Sequence, residues 1–159
     1  MKKIIYIDMD GTVVDFKSGI DELTEIERKQ YEGNEDDHPE IFLKMKPVPG
    51  AIDTISKLNA KYDLYLLSTA PWDNPNAWKH KREWVGKYFG NEEGSIFWKR
   101  LILSHHKNLN KGAYLIDDNP DRNGADKFQG KLIHFASEEY PDWESIENYF
   151  LATVKEQYT

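Results

Sequence analysis

The 159-residue chain contains no cysteine. A disulfide framework, a zinc–thiolate site and a thiol nucleophile are therefore excluded. Long apolar runs are also absent, and none approaches the roughly 18 residues that a membrane-spanning helix needs. Basic residues are in the minority, with 21 Lys and Arg against 28 Asp and Glu and a formal net charge of −7. Because nucleic-acid backbones are bound mainly by basic surfaces, a nucleic-acid polymer is not expected as a partner.

The remaining composition is typical of one globular domain with a sizeable core. The basic start "MKKIIYIDMD" carries an apolar run too short for a signal peptide, so we expect a cytoplasmic protein with no membrane partner. Aromatic residues are plentiful, with five Trp, nine Tyr and seven Phe. They permit a homodimer, although no residue requires one.

Short apolar runs recur along the chain and predict the strands of a parallel sheet. Their apolar residues are continuous rather than alternating, which is typical of strands covered on both faces. Helix-like segments separate the runs, and this alternation predicts an α/β fold, a doubly wound Rossmann-like parallel sheet. The runs are Ile4–Ile7, Leu64–Leu67, Leu101–Leu103, Ala113–Ile116 and Leu132–Phe135.

Three helices are predicted from apolar spacing and end signals. The first spans about residues 50–60. The second has Asn74 as its N-cap and Pro75 in its first turn, and Gly90 ends it. The third lies near the C-terminus, where Asp142 is the predicted cap.

The connection between the first and second strands is too long for a simple crossover. We expect residues 17–46 to form a small helical cap, and residues 1–16 and 47–159 to form the core domain. In the cap, Ser18 is the predicted N-cap of one helix and Pro39 opens another, with the polar "GNEDDH" between them as a solvated turn. An insertion at this point lies over the edge of the sheet where such folds bind ligands.

Polar side chains follow three of the predicted strands. The carboxyl ends of parallel strands lie on one edge of a sheet, so these side chains should converge. Four carboxylates in one cleft repel each other unless a cation neutralises them, and Mg²⁺, which prefers oxygen ligands, is the expected cofactor. The residues are Asp8, Asp10 and Thr12 after the first strand, Ser68 and Thr69 after the second, and Asp117 and Asp118 after the fourth.

The spacing of Asp8 and Asp10 suits phosphoryl transfer. A carboxylate beside a magnesium ion and a phosphate can attack phosphorus, and a second one can protonate the leaving oxygen and later activate water. Positions i and i+2 of an extended strand point to the same side. Gly11 then lets the chain turn with its N–H groups near the phosphate.

Four motifs in this order resemble the haloacid dehalogenase (HAD) superfamily, and the resemblance covers nearly the whole chain. "DMDGTVVDF" is similar to its D-x-D-G-T/V signature, "LLST" to its second motif and "IDDNP" to its fourth, with a lysine as the third. Members with the second aspartate of the first motif are typically phosphatases. The resemblance therefore implies a phosphatase.

The resemblance also implies catalytic and metal-binding roles. Asp8 would be the nucleophile and Asp10 the general acid/base. The metal would be held by Asp8, the backbone carbonyl of Asp10 and Asp118, with Asp117 in the inner or the second sphere. Lys107 would neutralise the phosphoryl group, although the sequence leaves Lys111 as a rival.

Substrate contacts follow from the same motifs. Ser68 and Thr69 would bind phosphate oxygens, with their match to the second motif uncertain by one residue, and Thr12 would join them. A narrower resemblance is to the 5'(3')-deoxyribonucleotidases, which share a helix end similar to "WVGKYFG" and the run I-D-D-R-P-D, where this chain has Asn119 in place of the arginine. In that family an aromatic residue after the first motif helps to form the base pocket, which by position is Phe16.

The expected function is thus a Mg²⁺-dependent phosphomonoesterase that forms an aspartyl-phosphate and acts on deoxyribonucleoside 5'- or 3'-monophosphates. One alternative is a HAD phosphatase for another small phosphometabolite, or a mutase, which would need a larger closing lid. A second alternative is a non-catalytic HAD-fold binding protein. Such a protein would have no reason to keep four mutually repelling carboxylates. Base preference and the 3' or 5' position of the phosphate stay open.

Overall fold

The computed structural model describes residues 1–156, apart from the side chains of residue 151 and of residues 153–156. Within this part of the chain, two sheets form, one of five strands and one of two. Every strand expected from an apolar run is present, and each begins within one residue of its predicted start. The strands are β1 (Ile4–Ile7), β2 (Val14–Asp15), β3 (Lys46–Pro47), β4 (Asp63–Ser68), β5 (Leu101–Leu103), β6 (Tyr114–Asp117) and β7 (Lys131–His134).

The larger sheet has the order β5-β4-β1-β6-β7, and all of its strands are parallel. β1 is central, with Ile5 paired to Leu64 on one side and to Tyr114 on the other. The strand order reverses at β1, and ligands of open α/β sheets bind outside the carboxyl ends of the strands at such a point. The α/β prediction is therefore confirmed, and the fold directs attention to the residues that follow β1.

Both faces of the sheet pack apolar residues, as expected for continuous apolar strands. The buried apolar residues of the longer helices join one cluster, whereas Ala125 and Phe128, which follow the fourth predicted strand, join the other. Ile5 and Ile7 belong to the larger core cluster, whereas Tyr6 and Leu115 belong to a smaller cluster on the opposite face. Apart from short 3₁₀ turns, the helices are α1 (Phe16–Asp21), α2 (Glu25–Gln30), α3 (Ile41–Lys44), α4 (Ala51–Asn59), α5 (Pro75–Phe89) and α6 (Trp143–Glu156). No helix among the described residues has the length and apolarity needed to cross a membrane.

The three helices predicted outside the insertion are confirmed as α4, α5 and α6. The predicted cap of α6 is also present, since the Asp142 carboxylate accepts a hydrogen bond from the Ser145 N–H at 2.9 Å. Asn74 is the N-cap residue of α5 and Pro75 lies in its first turn, as predicted, but the side chain of Asn74 makes no capping bond. That side chain is used in a tertiary contact described below.

The insertion differs from the predicted pair of helices. Ser18 lies inside α1, and the actual cap is Asp15, whose carboxylate accepts from the Ser18 N–H at 3.2 Å. The chain then turns, and α2 begins after Thr24, which forms a capping box with Glu27. Pro39 precedes α3, which begins at Ile41. The segment is thus three short helices and a 3₁₀ turn rather than a hairpin of two helices.

The insertion leaves and rejoins the rest of the chain through a two-stranded ribbon. Val14 of β2 pairs with Pro47 of β3 in antiparallel register. In addition, the Ser18 hydroxyl accepts from the Lys46 N–H at 2.8 Å, which ties the first helix to the end of the segment. This ribbon begins only four residues after Asp10, so the insertion is anchored directly beside the carboxyl end of β1.

Candidate active site

Two buried carboxylates and one buried lysine meet at the carboxyl edge of the sheet. Asp8 directly follows β1, and its N–H bonds the Ile116 carbonyl at 2.9 Å, while Asp117 ends the neighbouring strand β6. The Lys107 ammonium donates to Asp8 Oδ1 at 2.8 Å and to Asp117 Oδ2 at 2.6 Å. Lys107 is 3% exposed, whereas Lys111 is exposed to solvent. Of the two lysines considered, the structure brings Lys107 into the cluster.

Asp118 completes a group of carboxylates with the geometry of a metal site. One oxygen each from Asp8, Asp117 and Asp118 lies within 4.8 Å of the others. Both oxygens of Asp117 already have partners, because Oδ1 accepts from the Asn119 N–H at 2.8 Å and Oδ2 from Lys107. Asp8 and Asp118 are therefore the members best able to turn an oxygen toward a cation.

Thr12 supports this group and does not line the cavity in front of it. Its hydroxyl donates to Asp118 Oδ1 at 3.2 Å and accepts from the Asp118 N–H at 3.2 Å. Thr12 is 0% exposed, and its predicted contact with substrate stays a prediction. Gly11 (φ +79°) makes room for Asp118, since a Cβ at this position would collide with the Asp118 carboxylate.

The carboxylates carry more negative charge than their protein surroundings offset. Burial, followed by the charge of Asp8 and a hydrogen bond to Asp8, raises the pKa of Asp118 to about 7. Burial likewise raises the pKa of Asp8 and of Asp10. Clustered carboxylate oxygens whose charged form is disfavoured by burial and by each other suit a hard divalent ion. The donor set therefore fits Mg²⁺.

Asp10 lines the same cavity and is paired with a lysine that sequence reasoning missed. Lys81 of α5 is 0% exposed, and its ammonium lies 2.5 Å from Asp10 Oδ2 and 3.1 Å from Ser68 Oγ. It also lies 4.5 Å from the centre of the Phe42 ring. The other oxygen of Asp10 is buried and has no hydrogen-bond partner within the described part of the chain. Lys81 thus holds Asp10 by one oxygen and leaves the second unsatisfied.

The two hydroxyl residues after β4 have different positions. Ser68 is 1% exposed, accepts from Lys81 and does not line the cavity. Thr69 lines the cavity, and its hydroxyl donates to the Ser104 carbonyl at 2.8 Å. Of this pair, Thr69 is therefore the residue that a ligand in the cavity would meet first.

A cavity of about 460 Å³ opens in front of the carboxylates. The insertion supplies part of its wall through Phe16 and Phe42, whose rings meet edge to face at 6.1 Å. Arg122 and the neighbouring asparagines of the loop after β6 form another part. Its volume lies within the range of small-molecule sites. Phe16, the residue expected to help form the base pocket, thus lies in the wall of this cavity.

The acidic stretch expected to be a solvated turn also reaches this cavity. Glu35 and Asp36, at the start of a 3₁₀ turn, are among the lining residues. The Asn74 amide holds the turn against the core by donating to the Asp36 carbonyl at 2.8 Å and to the His38 carbonyl at 3.1 Å. The turn is solvated as expected, since Asp36 and Asp37 are exposed and Glu35 is half-buried, and this tertiary contact anchors its backbone in addition.

The fold is shared with solved HAD-like hydrolases. A magnesium-bound HAD hydrolase, YfnB from Bacillus subtilis, has the same fold, with a TM-score of 0.59 at 13% sequence identity over 93% of this chain and 98% of that one. At this identity the likeness concerns the fold alone.

Sequence comparison places the chain within one family of that class. The family described as 5' nucleotidase, deoxy (pyrimidine), cytosolic type C protein matches residues 36–147. A protein of Vibrio phage KVP40 with the provisional name 5'(3')-deoxyribonucleotidase is 54% identical over 97% of this chain and 88% of its own length. A protein of the same provisional name from Staphylococcus epidermidis is 31% identical over 74% of this chain and 66% of its own length. The chain belongs to this nucleotidase family and is accordingly a phosphoric monoester hydrolase.

Proposed function

We propose that this protein is a Mg²⁺-dependent phosphatase that removes phosphate from deoxyribonucleoside 5'- or 3'-monophosphates through an aspartyl-phosphate on Asp8. The observation that carries the proposal is the contact of Lys107 with both Asp8 and Asp117 at the floor of the cavity. This contact holds a carboxylate ready for attack beside the cation that would offset the charge of a phosphoryl group.

The first half of the reaction would use Asp8 and Asp10. An oxygen of Asp8 forms the bond to phosphorus while the bond between phosphorus and the substrate oxygen breaks, and Asp10 gives its proton to that leaving oxygen. Burial raises the pKa of Asp10, which favours the protonated form that this step requires. In the second half Asp10 takes a proton from water, and the water oxygen displaces Asp8 from phosphorus.

The metal would be held by Asp8, Asp118 and the backbone carbonyl of Asp10, with Asp117 in the second sphere because its oxygens are engaged by Lys107 and the Asn119 N–H. When bound, Mg²⁺ neutralises charge on the phosphate and on the carboxylates around it. Thr12 would fix the Asp118 ligand, and Thr69 would contact the phosphate.

The insertion, residues 17–46, would act as a cap that recognises the rest of the substrate. Phe42 of α3 and Phe16, just before the predicted boundary, present apolar rings to the cavity. A nucleobase offers a flat surface that suits such rings. The names of the related proteins support the same substrate class. The cytoplasmic location and the homodimer stay predictions.

Purified protein incubated with 3'- and 5'-deoxyribonucleotides, with Mg²⁺ or with a chelator, tests the proposal. We expect release of phosphate only with the metal, and acid-stable trapping of labelled phosphate on the wild-type chain during turnover. Asp8→Asn should abolish both signals while the far-UV circular dichroism is kept. Asp53→Asn, at an exposed position of α4, is the matched control. Turnover of a sugar phosphate but of no deoxyribonucleotide would refute the nucleotide part alone.

A further inference from the structure

The acidic turn contributes two carboxylates to the cavity that the proposed reaction does not use. Glu35 and Asp36 line the cavity together with Asp8, Asp10, Asp117 and Asp118, whereas the lining cations are Lys107 and Arg122. The four carboxylates at the sheet edge have Lys107 and Lys81 to offset them, and would have the divalent ion of the proposed function as well. Neither Glu35 nor Asp36 has a salt bridge within the described residues.

The turn is fixed rather than free to swing into solvent. Asn74, which is 4% exposed, donates its amide to the carbonyls of Asp36 and His38. The ring of Tyr31 packs against His38 at 4.9 Å between centroids. Asp37, the next acidic residue, is exposed and does not line the cavity. The anchored backbone thus places Glu35 and Asp36 in the wall of the cavity and Asp37 outside it. One oxygen of Glu35 accepts from the Gly33 N–H at 3.1 Å, which fixes this side chain within the turn.

We propose that Glu35 and Asp36 form a charge filter that restricts the substrate to phosphomonoesters whose remaining part carries no second anionic group. This inference rests on the proposed function, because it assumes that the scissile phosphate lies at the sheet edge. A nucleoside monophosphate then presents a neutral sugar and base to the turn. A bisphosphate would bring its second phosphate into the space bounded by Glu35 and Asp36.

The size of the effect follows from the width of the cavity. A compact cavity of 460 Å³ is roughly 10 Å wide. At this separation and an effective dielectric constant of about 40, the repulsion between one carboxylate and one charge on the ligand weakens binding about fourfold. Salt screens this repulsion, but two carboxylates act on a phosphate of nearly two charges. We therefore expect that neutralising both carboxylates favours a bisphosphate over a monophosphate by about fivefold at physiological salt.

The test compares thymidine 5'-monophosphate with thymidine 3',5'-bisphosphate for the wild-type chain and for the double variant Glu35→Gln, Asp36→Asn. The measured quantity is the ratio of kcat/KM for total phosphate release, with the two dissociation constants determined by calorimetry. In the double variant the ratio should shift about fivefold toward the bisphosphate, and the shift should shrink at high ionic strength. Asp37→Asn, which removes one charge from the same turn at an exposed position outside the cavity wall, should shift the ratio by less than half as much.

A ratio that the double variant does not change, or that Asp37→Asn changes equally, would overturn the filter. If the wild-type chain released no phosphate from thymidine 5'-monophosphate, the proposed function would be refuted instead. In that case the charge filter is tested by the ratio of the two dissociation constants. If the filter exists, the double variant must bind the bisphosphate better, relative to the monophosphate, than the wild-type chain does.

Discussion

Replacing Asp118 by asparagine should stabilise the metal-free protein, and the gain should grow as the pH rises. Asp118 lies beside Asp8 at the sheet edge, and burial raises its pKa to about 7, with the charge of Asp8 as the next cause. The folded protein therefore holds a proton on Asp118 at pH values where the unfolded chain has lost it. Asparagine keeps the shape and the acceptor for the Thr12 hydroxyl without requiring that proton.

The sign and the size follow from linkage. The folded-state pKa of Asp118 is raised above its unfolded value, so the stability from its proton is complete below about pH 4 and is lost as pH rises through about 7. A shift of about three pKa units corresponds to about 4 kcal/mol. Because about a third of the group is exposed to solvent screening, we expect about 2 kcal/mol of relative stabilisation of Asp118→Asn at pH 8.

The assay is urea unfolding of both proteins in a chelator at pH 4 and at pH 8, followed by circular dichroism. The difference in the free energy of unfolding should be small at pH 4 and about 2 kcal/mol in favour of the variant at pH 8. Asp121→Asn is the matched control, because Asp121 is exposed in the same loop and does not line the cavity. Added Mg²⁺ should stabilise the wild-type chain at pH 8 more than the variant, since binding to the folded state alone raises stability.

An equal difference between variant and wild type at both pH values would refute this reasoning, because it would mean that Asp118 titrates alike in the folded and unfolded chain. A lower stability of Asp118→Asn at pH 8 would show that the surroundings already favour the charged carboxylate without a metal. Equal stabilisation of both proteins by Mg²⁺ would remove Asp118 from the metal site and leave the repulsion argument standing.

Three further outcomes follow from the same contacts. Lys81→Met should lower the free energy of unfolding by about 3 kcal/mol and reduce kcat, because it leaves Asp10 without its buried partner. Lys79 is exposed on the same helix, and Lys79→Met should change the free energy of unfolding by less than about 1 kcal/mol. Lys107→Met should abolish turnover while Lys111→Met leaves it near the wild-type rate, as steady-state assays would show. Activity should fall at alkaline pH because Asp10, whose pKa is raised by burial, must carry a proton; an unbroken plateau to about pH 10 would exclude it as the acid.

The sheet and its carboxylate edge could be predicted because their signals are local. Each strand is a continuous apolar run, and such a run has one stable place in a parallel sheet covered on both faces. The topology then brings the ends of β1 and β6 together whatever the details of packing, which is why Asp8, Asp117 and Asp118 converge as expected. The third motif was less certain, because loop lengths do not say which lysine turns inward. The hydrogen bond between the Lys107 N–H and the Asn123 carbonyl, at 2.7 Å, shows how that loop is fixed.

The position of the insertion could be predicted from the sequence, but its secondary structure could not, because its helices are too short to show a clear apolar periodicity. α1, α2 and α3 have only four to six residues each, and isolated helices of this length depend on tertiary contacts. Asn74 illustrates the difficulty. Its position before Pro75 matches a helix cap, yet its amide serves the acidic turn more than 30 residues away. Whether the Asn74 side chain caps the helix or binds the acidic turn depends on the residues that pack beside it, and the local sequence does not show which residues these are.

Lys81 shows how a residue of the site can be hidden by a helical pattern. It shares a face of α5 with Trp78 and Val85, three residues after the one and four before the other, so the apolar stripe that locates the helix also encloses the lysine. A lysine on a buried face is costly unless it is paired with a negative charge. That rule alone predicts that Lys81 must meet a carboxylate, and the only buried carboxylates expected from the sequence were at the sheet edge. The same argument implies that Asp10 and Lys81 depend on each other, because each would be an uncompensated buried charge without its partner.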